Sequence, residues 1–355
     1  MGECVDVLIV VTTAGRRGAE LEGLDLAREL EGTGRSVKIV ALTPGTGTVE
    51  SIPALGPAAL GATALRQLRK LGRSAAVVVA YGSTTLPACS ISLAGTGVPF
   101  VYRSIGDPAE WVRGPLHRLR TRALFKRAAH VVALWPGARD DINQLYSIDK
   151  NSISVIPNAR SEERFTRPTQ EERTSARAAW GIDDDRPVIV SLGSLSPEKQ
   201  TDRAIRAMAE LPTAHLLVAG DGPERRSIDD LAASCPTGNV TVIGSVDDPR
   251  TVLHAADVLL LASRTEGMPG VIIEAGLCGV PSVAPPVGAI RSLIEHGVSG
   301  FITVGDDPGD LAEGLRRTIA AQRDFGDAAA ARMRDQFTWD VVTPRWTQLL
   351  DRIER

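Results

Sequence analysis

In "DVLLLASRTEGMPGVIIEAGLCGVPSVA", residues Asp257 to Ala284, an apolar run, a Gly/Pro-rich loop and two further apolar runs follow one another without a break. A short continuous apolar run such as "DVLLLAS", bounded by polar residues, is the pattern of a strand buried on both faces, as in a parallel sheet. "RTEGMP" is then the loop at the strand's carboxyl end, and "GVIIEAGLCG" is the helix leading to a parallel neighbour, "VPSVA". Pro269 suits the first helical position because it has no N–H to leave unpaired. Two carboxylates flank this entry, Glu266 in the loop and Glu274 in the second helical turn. A stretch built only to fold needs neither. The free N–H groups of the first turn favour an anion such as a diphosphate. Glu274 is placed to accept hydrogen bonds from vicinal hydroxyls, as a ribose offers, and Glu266 lies nearer a reacting centre. The plain alternative is a helix-end charge beside a solvated glutamate.

The same rhythm runs along the whole chain. "VDVLIVV" (Val5–Val11), "SVKIVAL" (Ser36–Leu42), "AAVVVA" (Ala75–Ala80), "VPFVY" (Val98–Tyr102), "HVVAL" (His130–Leu134) and "SISVIP" (Ser152–Pro157) read as buried parallel strands separated by amphipathic helices. From Glu162 to Pro187 charge, Pro and Gly interrupt the pattern, which predicts an inter-domain region. Alternation resumes with "PVIVSL", "AHLLVAG", "NVTVIG", "DVLLLAS", "VPSVA" and "GFITV". Two successive βα series predict two facing, doubly wound Rossmann-like domains with a ligand cleft at the strands' carboxyl ends. The expected division is residues 1–168, residues 169–335, and a closing amphipathic helix over 336–355 that returns toward the first domain.

At 355 residues with a net charge of −3, the chain offers no global field for nucleic acid or anionic membrane. Its four cysteines form no CxxC pair and the five histidines fall in no ligand spacing, so neither a zinc site nor a disulfide framework is expected. The start, "MGECVDVLIVV", has acids where a signal peptide needs positive charge, and nowhere does an apolar run approach the ~20 residues of a membrane span. A cytoplasmic protein is expected. No G-x-S-x-G, P-loop or HExxH motif is present.

Other motifs follow strands in the same way. "SLGSLSPEKQ" places Gly193 and then Lys199 ahead of a helix, a plausible phosphate cradle or an ordinary solvated lysine. In the first domain, the spacing of Gly15, Gly18 and Gly23 departs from GxGxxG, which argues against a nicotinamide enzyme. Arg103 and Asp107 close the fourth strand, either as a structural ion pair or as handles for an acceptor. Between Trp111 and Arg139 there is no acid, while Arg113, Arg118, Arg120, Arg122, Lys126, Arg127 and Arg139 accumulate beside an apolar face of Leu116, Leu119 and Ala123. The stretch is a solvated helix or a surface for a phosphorylated or lipid-linked acceptor, with peripheral membrane contact through Arg113–Arg127.

"SLGSLSPEKQ", "LLVAGDGPE", "VTVIGSVDD" and the Ala255–Ile302 stretch together resemble the group 1 family of retaining, nucleotide-sugar-dependent glycosyltransferases, which have the two-domain GT-B fold. The match covers about Pro187 to Val304, and "RRGAELEGLDLAREL" and "SVIPNARSEERF" extend it more weakly into the first domain. The resemblance implies that Glu274 holds the donor ribose and Lys199 the diphosphate, with Glu266 close to the transferred sugar. Backbone groups around Gly193, Ser194, Gly267, Met268, Gly270 and Val271 would line the donor, and Val246 would meet the nucleobase. Gly15, Arg17 and Gly18 stand where the family has its glycine loop. Three departures stand out. Ser194 replaces an arginine, Arg17-Gly18 replaces a glycine pair, and Ile105-Gly106 replaces the family's His-Asp, next to Asp107. Arg17 is the candidate substitute for the charge missing at Ser194.

The family thus implies metal-independent front-face transfer from a nucleoside-diphosphate sugar, a co-substrate rather than a cofactor, to a small-molecule, glycan or lipid-linked acceptor. Two rivals keep the fold. One is a sugar-nucleotide epimerase or hydrolase. The other is a non-catalytic partner subunit, for which Ser194 and the missing histidine speak.

Overall fold

The computed structural model describes residues 4–15, 18–45, 52–111, 114–182, 185–236, 238–305 and 307–354. Six parallel strands form the first sheet: β1 (Val5–Thr13), β2 (Val37–Thr43), β3 (Ala75–Tyr81), β4 (Phe100–Ser104), β5 (His130–Ala133) and β6 (Ile153–Val155). Their order is β2-β1-β3-β4-β5-β6. A second sheet comprises β7 (Val188–Leu192), β8 (His215–Ala219), β9 (Val240–Gly244), β10 (Val258–Leu260), β11 (Ser282–Ala284) and β12 (Gly300–Ile302), ordered β12-β11-β10-β7-β8-β9. Every one of the apolar runs read as a strand overlaps one. The strands are nearly all-apolar because helices cover both faces, so no alternation with polar residues is imposed on them.

Two compact units result: residues Met1–Ala159 with Trp339–Arg355, and residues Arg160–Thr338. In the first, Val7, Ile9, Val77, Val79 and Val101 pack with Trp339, Val342, Trp346 and Leu350 of the final helix, Trp339–Glu354. In the second, Ile189, Leu216, Val218 and Leu260 pack with Leu311 and Leu315 of the helix Pro308–Ala320.

The chain passes between units at Ala159/Arg160 and Thr338/Trp339, not at 168/169 and 335/336, and the polar segment Glu162–Pro187 lies within the second unit. Its helix, Gln170–Ala179, opens with a capping box of Thr169 and Glu172. Arg173 and Arg177 from this helix each hold the Asp257 carboxylate at 2.6 Å, directly ahead of β10. Charge that resembled a linker is the polar face of a docked helix.

Candidate functional site

Counted within its own unit, the second sheet has the strand order 3-2-1-4-5-6 of a dinucleotide-binding fold. Order reverses between β7 and β10, and a crevice opens there at their carboxyl ends, the usual ligand position in such sheets. A cavity occupies this place. Ser191–Leu195, Lys199 and Thr201 line it from the β7 side, and Leu260–Ser263, Glu266 and Val271 from the β10 side.

Glycine shapes its walls. Gly220, at φ +153°, passes so close to the β7 loop that an added Cβ would lie 1.8 Å from the Gly193 carbonyl oxygen. Gly288, at φ +53°, likewise lets the loop after β11 run beneath Glu266, whose carbonyl oxygen would be 2.1 Å from a Cβ.

At the cavity the Lys199 ammonium donates to Glu266 Oε1 at 2.7 Å. Glu266 is nearly enclosed, with 8% of its side chain exposed, whereas Lys199 keeps 30%. The carboxylate therefore anchors the ammonium from the buried side and leaves it facing open space. Lys199 sits just ahead of its helix, Thr201–Ala207, in a turn that Gln200 closes with a left-handed φ of +48°.

Ser194, exposed at the mouth, shares a hydrogen bond with Ser196, which donates to Glu198 Oε1 at 2.7 Å. That bond holds the Glu198 carboxyl below the usual carboxylate range. Arg264 N donates to the Glu198 carbonyl at 2.8 Å, tying the loops after β7 and β10 together.

The Pro269 residue takes the N-cap position and the helix runs Gly270–Leu277, one residue later than Pro at its first position would give. Met268 is buried, Gly267, Gly270 and Val271 are half-buried, and Ala289 N fixes the Gly267 carbonyl at 2.9 Å. Val246 is half-buried in the loop after β9 and does not line the cavity.

Glu274 is held by a residue the sequence did not single out: Arg160 Nε donates to Glu274 Oε1 at 2.6 Å. The pair joins positions 114 apart, and no local pattern announces it.

In the first unit the candidate residues separate. Gly15 is buried and Gly18 exposed, while Arg17 lies outside the described residues. Arg103 is fully buried, which corrects its reading as an acceptor handle. It pairs with Glu22 at 3.2 Å, donates to the Pro157 carbonyl and Asn158 Oδ1, and lies over the Tyr81 and Trp346 rings. Its ion pair is with Glu22 rather than with Asp107. Asp107 accepts from Ala109 N at 2.9 Å, opening the short helix Pro108–Trp111. Glu20 was also overlooked; its Oε1 accepts from Thr13 N and Oγ1, pinning the loop after β1.

The basic stretch forms the helix Pro115–Phe125, whose buried residues are Thr121 and Phe125. Leu116 and Leu119 are 73% and 62% exposed and Ala123 is exposed, so the apolar stripe faces outward. Arg113 lies outside the described residues. No helix among the described residues is long and apolar enough to cross a membrane. A groove in the first unit, between β6 and the final helix, is lined by Arg345, Arg352 and Arg139, the last residue of the basic stretch.

The family model "Glycosyl transferases group 1" matches residues 172–335, and "Glycosyl transferase 4-like domain" matches residues 3–159. Each unit is thus similar to one domain of these glycosyltransferases. Among sequence relatives, the D-inositol 3-phosphate glycosyltransferase of Geodermatophilus obscurus is 32% identical over 57% of this chain and 48% of its own length. A GDP-mannose-dependent monoacylated alpha-(1-6)-phosphatidylinositol monomannoside mannosyltransferase of Corynebacterium glutamicum is 29% identical over 55% of each. The chain spans about half the length of the relatives it matches in sequence. The two Rossmann-like units have the GT-B fold. The crystal structure of Anabaena Alr3699/HepE in complex with UDP and glucose superimposes on this chain with a TM-score of 0.86, at 20% identity, over 98% of this chain and 99% of that one.

Proposed function

We propose that this protein is a retaining glycosyltransferase that moves a sugar from a nucleoside-diphosphate sugar to a hydroxyl acceptor. The Lys199–Glu266 pair, standing in the cavity where strand order reverses, carries this reading. The second unit takes the donor and the first takes the acceptor. The diphosphate lies between the Lys199 ammonium and the N–H groups at Gly270 and Val271, and the Glu274 carboxylate receives the pentose hydroxyls. In the reaction the bond from the sugar's anomeric carbon to the diphosphate oxygen breaks, and its electron pair leaves with the phosphate. The acceptor oxygen bonds to the same face of that carbon, and its proton passes to the departing phosphate oxygen. Lys199 stabilises the charge that grows there, a cationic role requiring no metal ion. Glu266 holds Lys199 and adjoins the transferred sugar. Likeness of the second unit to the group 1 glycosyltransferase model supports retention.

A thermal-shift screen with UDP-, GDP-, ADP- and dTDP-sugars tests the donor site, because a ligand at a hundred times its Kd stabilises the native state by about 2.7 kcal/mol. One donor is expected to raise Tm. Glu274→Ala is expected to weaken that donor by about ten- to a hundredfold, the worth of hydrogen bonds to a charged group. No shift with any of the four would point instead to the non-catalytic partner. Diphosphate release at full rate without an acceptor would point to a hydrolase.

The relatives' names specify acceptors bearing inositol and phosphate. For this chain we place an anionic, lipid-associated acceptor at the outward face of the helix Pro115–Phe125. Exposed Leu116 and Leu119 would enter the headgroup region while Arg120, Lys126 and Arg127 meet lipid phosphates. Substituting both leucines with serine is expected to reduce co-sedimentation with phosphatidylglycerol vesicles by at least about tenfold, since each buried leucine contributes on the order of 1.5–3 kcal/mol. Unchanged binding would refute the membrane contact. Tm should hold, because neither side chain is packed.

A further inference from the structure

Arg160 lies in an unusual place for a cation. The backbone of this first residue of the second unit donates to the Phe337 carbonyl at 2.9 Å, and a bridge links it to Thr338. Its side chain, only 11% exposed, runs to the helix Gly270–Leu277 and lies against the amino-terminal turn. A Cβ at Gly270 would come within 1.9 Å of Arg160 Nη2 and 2.7 Å of Cζ. Gly270 and Glu274 are one turn apart on one face of that helix, and the guanidinium spans both. The amino-terminal end of a helix carries partial positive charge, so a cation there is on the unfavourable side of the dipole. Glu274 offsets that cost. A negatively charged ligand at the same turn would reverse its sign.

We propose that Arg160 is the positioning residue that gives the donor site its preference for ribose. This rests on the donor reading above. With Oε1 fixed by Arg160, the Glu274 carboxylate has a single orientation, and Oε2 is the oxygen presented to the pentose diol. Without the arginine the carboxylate rotates, and hydrogen bonds to the 2′-hydroxyl lose their geometry. The Nε–H that holds Oε1 belongs to a rigid planar group wedged against Gly270, a restraint that a lysine's mobile point charge does not reproduce.

Calorimetry with UDP, GDP and ADP, each beside its 2′-deoxy counterpart, tests this on the full chain. The wild type is expected to bind its preferred ribonucleotide about tenfold more tightly than the deoxy form, one charged hydrogen bond's worth. Arg160→Ala should bring that ratio to within about twofold of unity, and Arg160→Lys should restore it only in part. A merely structural arginine would weaken both nucleotides equally and leave the ratio intact, which would overturn the proposal while leaving the donor site standing. A wild type without discrimination would overturn it too. Failure of the wild type to bind any of the three diphosphates overturns this inference, and failure with dTDP as well overturns the donor reading on which it rests. Should Arg160→Ala fail to fold, Gly270→Ala takes its place. It keeps the arginine, pushes the guanidinium off the helix and improves helix propensity, and the same loss of discrimination is expected.

Discussion

Lys199→Ala is expected to lower kcat by about a hundred- to a thousandfold, the usual cost of removing one preorganised charge from a developing oxyanion. The substitution does two things at once. It withdraws the only side-chain ammonium among the described residues that line the cavity, and it leaves the Glu266 carboxylate, 8% exposed, without its 2.7 Å partner. A bare carboxylate beside the diphosphate repels it, so donor affinity should fall as well. Lys199→Arg restores charge but not shape, because a planar guanidinium does not reproduce a compact ammonium. Partial recovery of kcat is therefore expected. Single-turnover release of the nucleoside diphosphate measures both variants. Wild-type turnover in Lys199→Ala would remove Lys199 from the chemistry.

Arg103→Met should cost the first unit about 3–5 kcal/mol of stability, the range for breaking one side of a buried ion pair. Arg103 is fully buried and Glu22 2% exposed, so water cannot replace the lost partner. Asn158 and the Pro157 carbonyl lose their donor in the same step, and Tyr81 and Trp346 lose the cation over their rings. Arg103→Met combined with Glu22→Leu is expected to recover at least about 2 kcal/mol of the loss, because an apolar replacement of both partners removes the uncompensated charge. Urea unfolding, followed by the fluorescence of the first unit's tryptophans, gives the two midpoints. A single variant as stable as the wild type would show that the pair contributes nothing.

The strands were legible because a sheet covered on both faces writes itself as short apolar runs. Boundaries shifted where polar residues continue a strand: β4 includes Arg103 and Ser104, and the burial of Arg103 depends on partners far away in sequence. The cavity was legible too, since Lys199 and Glu266 each lie in the loop leaving a strand, and strand order makes those strands neighbours. What stayed hidden was long-range pairing. Glu22 meets Arg103 across 81 positions and Arg160 meets Glu274 across 114, and neither has a periodicity to reveal it. Polar segments misled for a related reason. The Glu162–Pro187 region resembles a linker until Arg173 and Arg177 are seen to grip Asp257. In the helix Pro115–Phe125 periodicity located an apolar stripe, but tertiary packing chose Thr121 and Phe125 as its inner side.

The first unit is discontinuous in sequence, and this sets a timetable for the nascent chain. A ribosome delivers all six strands of the first sheet early, yet Trp339, Val342, Trp346 and Leu350, which seal their core, are translated only after the entire second unit. The later-made half can therefore reach its native state first, while the earlier-made half waits with unsealed apolar surface, the reverse of the usual amino-terminal-first order.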